Sequence, residues 1–181
     1  MVSPFRFNLE KAIEAILYII ENGTENTLHH ISKVMYFADK EHIEKYGRFI
    51  CGDSYVAMKH GPVPSGIYDI LKTVRGDFIF NLPDALLQDL HATLEIVDKY
   101  RVNNLRTVNL DFFSESDLEC LDNSIQRYGH LSFDELTELS HDSAWDNTNT
   151  NDFMELEDII STIDNSEDLL EHLYDPHPGE A

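Results

Sequence analysis

CGDSYVAMKHGPVPSG, residues 51–66, holds its backbone more tightly than any other stretch of the chain. A short apolar strand, Tyr55 to Met58, runs into the charged pair Lys59 and His60. A rigid corner follows, Gly61-Pro62-Val63-Pro64, and Ser65 opens a helix. Each proline locks its φ near about −65° and drives the residue before it into an extended conformation. Phe49-Ile50, the turn residues Gly52-Asp53 and the strand Tyr55 to Met58 read as a β-hairpin, with the proline corner after it. Alternation along the strand puts Tyr55, Ala57 and Lys59 on one face and Val56, Met58 and His60 on the other. A corner this stiff either joins two packed elements or presents the side chains beside it.

Helices flank this stretch. Upstream, Asn8 caps a helix whose Leu9, Ala12, Ile13, Ile16, Leu17, Ile19 and Ile20 recur at helical spacing until Asn22-Gly23. Thr27 caps a second helix that runs to Tyr46 and stops at Gly47. Its apolar set is Leu28, Ile31, Val34, Met35, Ala38 and Ile43, while Asp39, Lys40, Glu41, Glu44 and Lys45 read as the outer side. These two helices are expected to pair antiparallel across a short loop. Downstream, a helix from Ser65 to Val74 ends at Gly76-Asp77, and Phe78-Ile79-Phe80 is a brief apolar segment. Residues 92–109 alternate like two or three short strands (Thr93 to Val97, Tyr100 to Val102, Thr107-Val108) that would extend the hairpin into one antiparallel sheet. Ser114 opens a helix to Tyr128, and the capping box of Ser132 and Glu135 opens another through Leu139. The fold class is therefore α+β, mainly helical: a helix bundle with a small antiparallel sheet.

Asp146 to Asp152 is polar and turn-prone and reads as a linker. Beyond it, Phe153, Leu156, Ile159, Ile160 and Ile163 form one amphipathic stripe and Leu169, Leu170 and Leu173 a shorter one, before the polar end DPHPGEA. The expected division is a domain over residues 1–146 and an acidic helical extension over 147–181.

The net charge is −21. Residues 128–181 carry 15 acidic residues and no lysine or arginine. Direct binding to nucleic acid is disfavoured, because neutralising phosphates takes clustered cations. The acidic third is either a solvated face or a surface that steers and holds a basic partner. No apolar run is long enough for a membrane span. The N-terminal MVSPFRFNLEK has no basic segment leading into an apolar one, and the two cysteines, Cys51 and Cys120, have no metal or redox spacing. Those features point to a cytoplasmic protein with reduced thiols.

Catalytic and metal patterns are sparse among the nine histidines. There is no HExxH, no paired CxxC and no glycine-rich phosphate loop. Asp39 and His42, three apart on a helix, are a lone pair, read more readily as a hydrogen bond than as metal ligands. Of His29-His30, one reads as exposed and one as semi-buried. Cys51 has no partner base, and His141-Asp142 lacks a nucleophilic serine elbow. No catalytic residue, metal or cofactor is assigned. Lys59 and His60, with Tyr55, are read as a recognition patch held by the proline corner, His60 alternatively as a helix cap or a donor to buried carbonyls.

The segment Ser32-Lys33-Val34-Met35-Tyr36-Phe37-Ala38-Asp39, then Tyr46-Gly47, then Gly52 through Pro64, resembles the Panacea (SocA-like antitoxin) domain. In that family a helix ending K-hydrophobic-hydrophobic-Y-x-A-D precedes a G-x-x-Y-x-A strand and G-P-V. Tyr128-Gly129, Glu135-Leu136, Ser140-His141 and Ala144-Trp145 are similar to its C-terminal motif. Lys33, Tyr36 and Asp39, Gly52, Gly61 and Pro62, and His141 and Trp145 are thus the family-motif residues, and the likeness runs from Leu9 to Trp145. The resemblance implies an antitoxin of a toxin–antitoxin pair, of a kind often carried on phages and mobile elements. Its implied partner is a cognate toxin, neutralised by direct contact. One branch of the family looks like a proteolytic adaptor that hands its toxin to a bacterial protease. Residues after Asn147 depart from the pattern, so Phe153, Leu156, Ile159 and Ile160 are either contacts to a basic toxin surface or a stripe packed on the domain's own core. A metal- or histidine-dependent enzyme using Lys59, His60 or Asp39 and His42 is the alternative, as is an acidic nucleic-acid mimic that blocks a basic protein.

Overall fold

The computed structural model describes residues 3–77 and 81–174. The elements in order are α1 (Leu9–Asn22), α2 (Leu28–Tyr46), β1 (Tyr55–Met58), β2 (Gly61–Pro64), α3 (Ser65–Arg75), α4 (Asp84–Thr93), β3 (Leu94–Val97) and β4 (Arg101–Asn104). A 3-10 turn (Leu110–Phe112) leads into α5 (Glu115–Tyr128), α6 (Phe133–Ser140), α7 (Ser143–Asp146), α8 (Leu156–Ile160) and α9 (Ser166–Tyr174). The chain is mainly helical α+β, as its sequence predicts, but the described residues form two small antiparallel sheets where one was expected.

Local chemistry sets the helix ends. The Asn8 side chain accepts the Lys11 N–H and that of Thr27 accepts the His30 N–H. Gly47 closes α2 at φ +74°, and Ser114 with Asp117 and Ser132 with Glu135 form two complete capping boxes. Helix α1 buries an unbroken run from Ala12 to Ile19, because it lies in the middle of the main core with α2, α3 and α5 around it. Helix α2 packs most extensively on α5 and contacts α1 as well.

The strand pairing differs from the sequence reading. The hairpin turns at Lys59-His60, not at Gly52-Asp53, and the proline corner is itself β2, with Tyr55 opposite Pro64 and Ala57 opposite Pro62. Two prolines fit a strand here because they are two residues apart, so both lie on the side facing away from β1. Their partners Tyr55 and Ala57 likewise turn outward: Ala57 N–H donates to the Asp152 carbonyl, and Asn151 N–H and Met154 N–H donate to the carbonyls of Ala57 and Tyr55. Residues 151–154 therefore flank β1, and the polar stretch read as a linker is tied down at its end. Because β1 ends at Met58, Lys59 and His60 do not continue its alternation.

The second correction concerns residues 94–104, whose two strands pair with each other (Leu94 with Asn104, Ile96 with Val102) and not with the hairpin, forming a separate sheet that is bridged to Thr27 through Arg101. Thr107-Val108 is not a strand, since the Val108 N–H is taken by the Glu21 carboxylate. Helix α4 had no expectation attached. The segments Phe78 to Phe80 and DPHPGEA lie outside the described residues.

Residues from the last part of the chain enter a second core. Met154, Leu156, Ile159, Ile160 and Leu169 are buried with Tyr36, Ile43, Phe49, Tyr55 and Ala57. Gly61 sets how closely the hairpin approaches α2. It sits at φ +103°, and a Cβ there would stand 2.9 Å from Lys33 Nζ and closer still to Ser140 Oγ. Gly61→Ala is expected to destabilise the protein by about 2 kcal/mol or more, read from urea unfolding midpoints at constant m-value.

Candidate functional site

Three residues of α2 meet the hairpin, and all three bring polar groups into the interior. The Lys33 ammonium, 1% exposed as a residue, donates to the Pro62 carbonyl at 2.8 Å. That carbonyl is free for it because Pro62 faces away from β1. The Tyr36 hydroxyl donates to Asp142 Oδ2 at 2.8 Å, and Lys40 pairs with the same oxygen at 2.9 Å. Asp39, wholly buried, accepts the Ile50 N–H at 2.7 Å on one oxygen and the Tyr55 hydroxyl at 2.6 Å on the other. Burial pushes its carboxyl up to about 7, with the two donors pulling the other way. Asp39 therefore does not lie on the outer side of α2 as its charge suggests.

The remaining motif residues close the same assembly. Gly52 turns at φ +67° hard against the Arg6 backbone, where a Cβ would overlap the Arg6 carbonyl. The turn presents Asp53, whose oxygens accept the N–H groups of Ser54, Gly66 and Ile67 at 2.7, 2.8 and 3.0 Å and so cap α3. Trp145 donates its indole N–H to the Met58 carbonyl at 2.8 Å, while His141 stacks on Trp145 with ring centres 3.6 Å apart. Lys33, Tyr36, Asp39, Gly52, Gly61, Pro62, His141 and Trp145 thus converge on one hairpin and on the helices that hold it.

What faces outward is a smaller set. Lys59 and His60 are exposed at the turn, and His60 lies edge-on to Phe133 at 5.1 Å rather than capping a helix. Phe153 is 62% exposed beside β1, bridged to Val56. Tyr55, Leu156, Ile159 and Ile160 are corrections: all four are buried. Tyr55 is consumed by Asp39, and the α8 stripe by the second core, because an apolar face of five residues is satisfied as well by its own protein as by a partner.

The enzyme candidates resolve into structural pairs. His42 does not share an ion with Asp39; its Nδ1 meets the Arg48 carbonyl at 2.8 Å and its Nε2 meets Ser116 Oγ at 3.0 Å and Asp117 Oδ1 at 3.2 Å. Burial works against the Asp117 charge, but bonds from His42, Lys11 and the Ser114 N–H hold its carboxyl well below the usual range. Sequence reasoning missed this buried cluster, since its members are far apart in the chain. His30 is buried against Thr27 and the Leu131 carbonyl, and His29 is half-buried, stacked on Phe133 at 4.0 Å, so neither is an exposed histidine. Cys51 and Cys120 are both buried, and burial pushes both thiols up, Cys120 to about 12. Among the described residues, no group of three or more His, Cys, Asp and Glu side chains is placed to hold a metal.

With this arrangement in view, comparison with family models finds the antitoxin SocA-like, Panacea domain over residues 31–146. The chain belongs to that family. Every motif residue named above lies inside the match, whereas α1, α8 and α9 lie outside it. Comparison with curated proteins and with solved structures returned no match. Membership in an antitoxin family supports an antitoxin role and directs attention to binding rather than catalysis. Among the described residues, no helix is long and apolar enough to cross a membrane.

Lys33 makes the hairpin's attachment sensitive to pH. Burial pushes its ammonium down to about 7. The unfolded chain then holds the extra proton between about 7 and the ordinary lysine value near 10.5, so stability rises with pH across that window. Urea unfolding at pH 7.0 and 8.5 is expected to show a gain on the order of 1–2 kcal/mol that Lys33→Met lacks. Asp39, raised to about 7, and the two buried thiols act with the opposite sign, and because wild type and Lys33→Met share them the difference between the two proteins isolates Lys33.

Proposed function

We propose that this protein neutralises a cognate toxin by direct contact, through the Lys59-His60 turn and the exposed ring of Phe153 beside β1. The observation that carries the reading is the pairing of a family match to an antitoxin domain with a motif whose residues converge on one largely buried hairpin and so fix its exposed Lys59-His60 turn. An exposed aromatic beside a rigid turn supplies contact area at little cost in conformational freedom. We take residues 1–146 as the antitoxin domain and 147–181 as an addition whose described part seals the second core and delivers Phe153 to the surface. Its remaining contribution to a partner is charge. Asp152, Asp164, Glu167 and Asp168 are exposed and would speed encounter with a basic toxin.

The test is co-expression with the product of the reading frame adjacent to this protein's gene. Wild-type protein is expected to restore growth and to co-purify with that product, leaving its amount unchanged; delivery to a protease would instead lower the amount. The double variant Lys59→Glu with Phe153→Ser is expected to lose at least tenfold in affinity, with a thermal midpoint within about 2 °C of wild type, since both side chains are exposed. Full neutralisation by that variant would remove this surface from the mechanism. Deleting 150–181 is a poorer probe, because it strips Leu156, Ile159, Ile160 and Leu169 from a core. Binding that collapses in 0.5 M salt would favour an acidic mimic instead.

A further inference from the structure

Behind the Lys59-His60 turn lies a pocket of about 370 Å³, walled by Met58 and Val63 of the hairpin, Leu28 and Lys33 of α2, Tyr68 of α3 and Phe133 of α6. Its charge is opposite to that of the molecule. Lys33, Lys59 and Arg75 line it together with His29 and His60, and among the described residues no aspartate or glutamate does, although the chain has 34 acidic and 13 basic residues.

The cations are not equally available. The Arg75 guanidinium is committed to Asp77 at 2.6 Å and to the Lys99 carbonyl at 3.0 Å. Lys33 has the neutral Pro62 carbonyl, which uses one of its three donors, and no carboxylate among the described residues. Lys59 is exposed and has no ion pair among the described residues. A buried ammonium without a counter-charge is a costly arrangement that an incoming anion would relieve. Burial first, with Lys33 and His30 beside it, pushes His29 down to about 3, so His29 lines the pocket as a neutral ring.

We propose that this pocket is a carboxylate-binding site for a single carboxylate borne on an aromatic or branched apolar group. The charge would lie between Lys33 and Lys59, and the apolar part against Phe133, Tyr68 and Met58. The volume is that of a small-ligand site, and two uncommitted lysines among aromatic walls suit one negative charge rather than a polyanion. The carboxylate has two possible sources, a free organic acid or an acidic side chain presented by a protein. The proposal stands apart from toxin neutralisation and is tested without a toxin.

The experiment is an NMR titration of the full chain, following the Lys59 and Gly61 amides. The probes are 3-phenylpropionate with its neutral isostere 3-phenylpropanamide, and the peptide N-acetyl-phenylalanyl-aspartyl-phenylalanine amide with its asparagine counterpart. At least one acid is expected to bind at least tenfold tighter than its neutral counterpart. Lys59→Gln should weaken that binding at least threefold and Lys33→Met should abolish it. Tighter binding of phenylpropionate assigns a free acid; tighter binding of the peptide assigns a protein's acidic residue. If the neutral compounds bind as well as the acids, or no probe moves these amides, the site is overturned. Should Lys33→Met fail to fold, the exposed Lys59→Gln and the neutral isosteres still decide the question.

Discussion

A fully buried carboxylate holds the hairpin on α2. Asp39 accepts the Ile50 N–H and the Tyr55 hydroxyl, one on each oxygen, and so ties the segment that enters β1 and the strand itself to a single helical position. Such a group has little tolerance for loss: removing one donor leaves a charge or a lone pair buried with nothing to satisfy it, which costs far more than the bond contributes. The rest of the hairpin depends on that anchor. Only when Tyr55 is fixed does β2 arrive with the Pro62 carbonyl over Lys33, with Gly61 against Ser140, and with the Met58 carbonyl in reach of Trp145.

The charge distribution follows from the same frame. Acidic side chains crowd the outer surface of the last third, where water and salt screen them. Three cations, Lys33, Lys59 and Arg75, line the crevice under the turn, where α2 and the hairpin meet. The chain thus has two unlike surfaces, an acidic exterior and a rigid turn with an exposed aromatic beside it. The division of labour is physical: charge sets encounter rates, while buried or rigid contacts set lifetimes.

Much of this was legible in the chain, and for identifiable reasons. Asn8, Thr27, Ser114 and Ser132 announce helix starts because capping is a local bond over two or three residues. Gly47 and Gly76 announce ends because the left-handed cap demands little beyond its own backbone. The motif residues were legible as a set, though not their roles. Asp39 reads as a surface charge on an amphipathic helix and Lys33 only as a motif residue, and it is the arrival of Tyr55, Ile50 and Pro62 from elsewhere that makes both interior groups. The hairpin register was misread because prolines argue against a strand unless both face away from the ladder, and which way they face is set by the partner strand.

The amino-acid order by itself determined the helices, their caps, the acidic bias of the last third and the motif that marks an antitoxin domain, since each depends on neighbours a few positions apart. The tertiary structure alone decided which charges are buried, that the two strand pairs remain separate sheets, and that the stripe from Leu156 to Ile160 seals a core while Phe153 stays outside. Those outcomes depend on contacts between residues tens of positions apart. An apolar stripe or a lone lysine carries no record in its own sequence of what will be packed against it.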